Sequence, residues 1–193
     1  MSEYGERYKL VASGFSQRLD LCTPKVWSAT TPCEGWSVRD LVLHSAQVHL
    51  NVAGLAQDEV PLKLAEVEIA SELDEGAGNS LVSTWKRGSE TICEILGNEE
   101  RSSKEVQTRA GTMAFDKLVG TMLCADTLVH TWDLARGAGL DETLNASVVS
   151  AIYAFMKPND AIIRVPGGFG PKVPPPPHAS EQVEFLCCTG RQP

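Results

Sequence analysis

From Ala114 to Arg136 the chain has no proline, and Phe115, Leu118, Met122, Ala125 and Val129 recur at the three- and four-residue spacing of one helix face. Gly137 and Gly139 follow as natural stops. A helix with one apolar stripe gains most of its stability by burying that stripe against other elements, so this segment demands partners. Other segments carry matching stripes. Tyr8, Val11, Phe15 and Leu19 predict a helix over 4–22. Leu41, His44, Ser45, Val48 and Val52 mark a second, opening at Ser37 with Asp40 placed to complete a capping box. His49, five residues beyond His44, points well away from that stripe. Leu81, Trp85, Ile92 and Leu96 predict a third helix over 80–96, stopped by Gly97. Val148, Ile152 and Phe155 predict another over 144–157, stopped by Pro158.

The connections read differently. Pro24, Pro32 and Gly35 make 22–36 a loop with at most one short turn. The acidic stretch 58–78 is a long connection with a helical turn around 62–69, and 98–112 is loop with an extended portion over 106–113. Beyond Pro158 the run Pro174 to Pro177 and the glycines around Phe169 exclude regular helix or central strand. A short last helix returns over 180–189. The expected architecture is all-α, with a helical bundle over 1–157 and an irregular Pro/Gly-rich C-terminal extension over 158–193 ending in that helix.

With 193 residues, 42% hydrophobic and 22% charged, the chain has the composition of a globular protein. Its net charge of −8 and the lack of a basic patch argue against nucleic acid as partner. Charges at the N-terminus and the absence of any run of about 18 apolar residues argue against a membrane segment and point to the cytoplasm. Cys22, Cys33, Cys93, Cys124, Cys187 and Cys188 form no C-x-x-C pair, and most read as small core residues.

Three side chains carry chemistry. Asp126 and His130 stand four apart and share a helix face, continuing the Leu118–Met122 line. Burying an ionised carboxylate there needs a partner, either His130 alone or a cation. His44, on the core-facing stripe of another helix, can supply a third ligand. Two imidazoles and one carboxylate leave coordination positions open, which is the pattern of a reactive metal site and not of a closed structural one. The same set fits a non-haem Fe(II) site.

The combination Thr31-Pro32-Cys33-Glu34-Gly35-Trp36-Ser37-Val38-Arg39-Asp40-Leu41-Val42-Leu43-His44, then Asp126 to Arg136, then Thr189-Gly190-Arg191-Gln192-Pro193, resembles the actinobacterial branch of the DinB-like superfamily. That branch includes the metal-binding domain of mycothiol-dependent maleylpyruvate isomerase. The resemblance implies an up-and-down four-helix bundle with a divalent metal, Zn first and Ni, Fe or Mn as alternatives, held by His44, Asp126 and His130. It also implies a mycothiol-like thiol as cosubstrate in transfer to, or isomerisation of, a small electrophilic molecule. Many relatives have histidine where Asp126 stands, and the isomerase has a glutamate there and a further C-terminal domain, so maleylpyruvate itself is not the expected substrate. Asp133 is placed to hold the His130 ring or line the pocket, and Arg191 to grip a carboxylate of thiol or substrate. Asp40 could orient His44 or only cap its helix; Trp36 and Trp132 read as packing at the bundle ends. The alternatives are a small-molecule binding module without turnover and a secondary-metabolite cyclase or conjugating enzyme. A homodimer would cover any apolar face the helices leave open.

Overall fold

In the computed structural model, residues 2–57, 77–108, 111–164 and 168–193 are described. They fall into two compact units, Met1–Glu142 and Thr143–Pro193. The first contains α1 (Glu3–Asp20), a 3₁₀ turn (Pro24–Val26), α2 (Val38–Leu55), α3 (Ala77–Gly97), α4 (Glu99–Ser102), strands β1 (Glu105–Thr108) and β2 (Gly111–Ala114), α5 (Phe115–Leu118), a π-helical turn (Val119–Leu123) and α6 (Cys124–Ala138). Segments α5, the π turn and α6 run on as one rod. With α1, α2 and α3 that rod makes a four-helix bundle, in which α1 and α2 each pack on both α3 and α6. The helical turn expected at 62–69 lies outside the described residues.

The predicted stripes of α1 and α3 lie in the core. Tyr8, Val11, Phe15 and Leu19 of α1 are buried, as are Leu81, Trp85, Ile92 and Leu96 of α3. Trp85 stacks on Phe15 with ring centroids 4.1 Å apart and donates its indole N–H to Ser16 Oγ at 2.9 Å, so its apolar bulk is buried with its polar atom satisfied.

Three sequence expectations need correction. The buried face of α2 is the line Val38, Leu41, Val42, Ser45, Ala46, His49 and Ala53, while His44, Val48 and Val52 are only half-buried. Packing on two neighbours rotates the stripe, and His49, expected to point away, enters the core. The stretch 98–112 is not simple loop: it holds α4 and the hairpin β1–β2, in which buried Val106 pairs with Met113. The line Leu118–Met122–Asp126–His130 is broken by the π turn, which adds a residue to the rod just before Asp126. The wide turn is secured from outside by Arg7 Nη1, which donates to Gly120 O at 2.9 Å, and from within by Thr121 Oγ1, which donates to Lys117 O at 2.6 Å. Gly120 also lies against Tyr4 so closely that a methyl group there would overlap the ring.

The second unit contains α7 (Ala146–Met156), capped by Asn145, then a 3₁₀ turn (Lys157–Asn159), α8 (Asp160–Ile163) and α9 (Glu181–Cys188), capped by Ser180. Helix α7 packs on α9. Arg164 ties its loops together, bonding Asp160 Oδ1 at 2.9 Å, Cys188 O at 2.7 Å and Gly170 O. Among the described residues no helix is long and apolar enough to cross a membrane.

Candidate metal centre

Helix α2 begins at Ser37, whose hydroxyl accepts the Asp40 N–H while the Asp40 carboxylate accepts the Ser37 N–H at 3.0 Å. Asp40 is thus occupied as a cap, and its carboxyl is held below the usual range first by the Ser37 hydroxyl, which donates to Oδ2 at 2.6 Å, and then by the Ser37 N–H. The start of the helix is thereby fixed, and with it His44. From the rod come Asp126 and His130. Between Cys124 and Ala135 every residue is buried except Asp126, so the carboxylate stands where α6 meets solvent.

His44, Asp126 and His130 each offer a ligand atom, all within 4.8 Å of one another. Asp126 Oδ1 lies 3.7 Å from His44 Nε2 and 3.5 Å from His130 Nε2. The two imidazoles meet edge to face, centroids 5.1 Å apart at 77°. Asp126 Oδ2 is buried, and among the described residues it has no hydrogen-bond partner. These separations are long for hydrogen bonds. They are near the roughly 3.3 Å expected between ligand atoms on a tetrahedral ion with bonds of about 2.0–2.1 Å.

The opposite edge of His130 differs. Its Nδ1 lies 3.0 Å from Asp133 Oδ2, and Asp133 is fully buried. An ionised carboxylate only accepts, so Nδ1 carries a proton and Nε2 faces Asp126. In a neutral ring Nε2 is a lone pair confronting another acceptor; a second proton or a cation must lie between them. Burial alone would lower the His130 pKa, but Asp126, Asp133 and Cys33 raise it well above the ordinary value. Burial would raise the Asp126 pKa, yet His130 and His44 hold it below the carboxylate range. The donor set therefore fits a divalent cation, with the carboxylate–imidazole support that metal-binding histidines commonly have.

Sequence reasoning missed two neighbours. Cys33, read as a small core residue, places Sγ 3.2 Å from Asp133 Oδ2 and 3.8 Å from His130 Nδ1, and Cys33, His130 and Asp133 form a second ligand-like cluster. There the short contacts are accounted for as hydrogen bonds, whereas around Asp126 they are not. Trp36, read as end packing, sits 4.9 Å from the His44 ring and 6.0 Å from that of His130. The available signal was Gly35: at φ +78° it lets the chain turn from Cys33 to Trp36 and returns both to the ligand-bearing helices. Arg191 belongs to the second unit, where its guanidinium donates to Thr189 O at 3.0 Å at the end of α9.

A family model described as the mycothiol maleylpyruvate isomerase N-terminal domain matches residues 11–135, a span that contains all three candidate ligands. The chain belongs to that family. Two solved structures share the fold of this family member. A crystal structure of the mycothiol-dependent maleylpyruvate isomerase superposes with TM-score 0.60 at 19% identity, covering 80% of this chain and 68% of that one. A histidine-to-alanine mutant of that isomerase superposes with TM-score 0.55 at 18% identity and the same coverage. No curated protein matches the chain.

Proposed function

We propose that this family member is a metal-dependent enzyme in which a low-molecular-weight thiol, of the mycothiol kind, acts as nucleophile on a small electrophilic substrate. The observation that carries the reading is the convergence of His44 Nε2, Asp126 Oδ1 and His130 Nε2 beside the buried Asp126 Oδ2, which among the described residues has no hydrogen-bond partner. Those three residues would hold the cation, Zn²⁺ first. Bound there, it supplies a charge that deprotonates a coordinating thiol, which at its ordinary pKa of about 8.5 is a poor nucleophile at neutral pH.

The protein's own part is positional. His44 and His130 present ring nitrogens from different helices, and two imidazoles with one carboxylate would leave coordination positions open on a bound cation. Asp126 lowers the net charge of the centre and stands at its solvent edge. Asp133 keeps the Nδ1 proton on His130 and so fixes which nitrogen faces inward. Trp36 brings an aromatic ring against both imidazoles, tilted on His44 and near-parallel to His130, and so gives that side of the set an apolar wall. The relationship to a mycothiol-dependent isomerase supports a thiol cosubstrate.

The test is elemental analysis of protein purified without chelator, then thiol consumption measured across a panel of electrophiles. Near-stoichiometric metal and thiol loss that both vanish in His44→Ala and His130→Ala, with helicity retained, would support the reading. Unchanged consumption in both variants would overturn it, and bound metal with no consumption would leave a binding module.

A further inference from the structure

Behind the candidate centre two donors converge on one oxygen. Asp133 Oδ2 takes the His130 Nδ1–H at 3.0 Å and the Cys33 Sγ–H at 3.2 Å, and the carboxylate is fully buried. The Cys33 position is built and not incidental. Its backbone N–H bonds Thr31 Oγ1 at 3.2 Å, its carbonyl accepts the Trp36 N–H at 3.0 Å, and the Thr31 hydroxyl donates to Trp36 O at 3.0 Å. A bridge between Thr30 and Ser37 closes the loop.

We propose that Cys33 is a positioning residue of the metal centre, acting through Asp133 on His130; this rests on the metal reading above. A carboxylate turns easily about its own bond to Cβ, and its direction fixes the plane of the imidazole that leans on it. The thiol gives Asp133 Oδ2 an anchor from a different element, so the His130 Nε2 direction is set by the loop as well as by α6. Sulfur suits the role because S–H is a weak donor. It orients the oxygen while leaving most of its accepting strength to the imidazole.

The alternative is that Cys33 is itself a ligand, in the cluster with His130 and Asp133. The normal hydrogen-bond lengths there favour the proton-bridged arrangement, and experiment separates the two. Zn²⁺ affinity is measured by chelator competition on the full chain, in wild type, Cys33→Ala and Cys33→Ser, alongside the NMR signal of His130 Nδ1–H in metal-free protein. Cys33→Ala should bind Zn²⁺ about tenfold more weakly, at the low end of outer-partner effects, with the Nδ1–H signal broadened by exchange. Cys33→Ser, which keeps a donor, should stay within about threefold of wild type with the signal sharp.

A role in packing alone predicts the reverse order, serine worse than alanine, and that result would overturn the proposal. So would equal affinities in all three proteins, or a sulfur-to-metal charge-transfer band with Co²⁺ that disappears in Cys33→Ser. Wild-type protein that takes up no Zn²⁺ sinks the parent reading instead, and the Nδ1–H signal of the metal-free variants still decides whether Cys33 anchors the pair.

Discussion

His130 has two nitrogens with different obligations, and among the described residues the two carboxylates that face them stand at different distances. Nδ1 has Asp133 at hydrogen-bonding distance; Nε2 has Asp126 at 3.5 Å, beyond a good bond. Replacing Asp133 by asparagine keeps the shape but removes the charge that holds the Nδ1 proton, and the amide can present N–H where an acceptor is needed. Asp133→Asn should weaken Zn²⁺ binding by about 10- to 100-fold in chelator competition. His49 has different neighbours: Nδ1 lies 2.7 Å from Ser45 O, Nε2 lies 3.5 Å from Thr127 Oγ1, and the ring packs against Tyr8 and Trp85, whereas His130 faces two carboxylates. That difference marks one histidine as site and the other as core.

At the scale of elements, the rod α5–α6 owes its wide turn to residues of another helix. An alanine at Gly120 would overlap Tyr4 and press on the turn that Arg7 secures. Gly120→Ala should cost about 1–3 kcal/mol, the usual range for forcing extra atoms into a packed site, and lower the melting temperature. Ser37→Ala, which removes the α2 cap, should cost about 1 kcal/mol in the same measurement. The apolar spacing of α1 and α3 and the Ser37–Asp40 box were legible in the sequence because each is set within one segment. The π turn was not, since it depends on Tyr4 and Arg7 reaching Gly120 from α1. The buried phase of α2 was misread because α3 and α6 jointly decide it. Of the candidate centre, the spacing of Asp126 and His130 was legible, while the place of Cys33 depended on a turn whose direction only Gly35 hints at.

For the molecule as a whole, buried ionisable groups link stability to solution conditions. Burial holds the His49 pKa down at about 4, against about 6.5 in an unfolded chain. Below 6.5 the unfolded chain binds a proton that the folded one refuses. Stability from this source is therefore full above about pH 6.5, falls as pH drops toward 4, and levels off below; the total is about 3 kcal/mol. The groups around the ring are Ser45 O, Thr127, Tyr8 and Trp85, with Asp126 and His44 acting at longer range. Denaturation midpoints between pH 7 and pH 4 should fall less steeply in His49→Gln than in wild type, by about one proton's worth of slope. A bound cation should add to stability by mass action: at 100 times its Kd the gain is about 2.7 kcal/mol, so chelator should lower the melting temperature of wild type and leave His44→Ala unmoved. Asp126 is the residue from 124 to 135 that is only half-buried, so it stands at the edge of α6. Were a divalent ion seated beside it as proposed, an anionic visitor that the bare carboxylate repels would meet a charge of opposite sign.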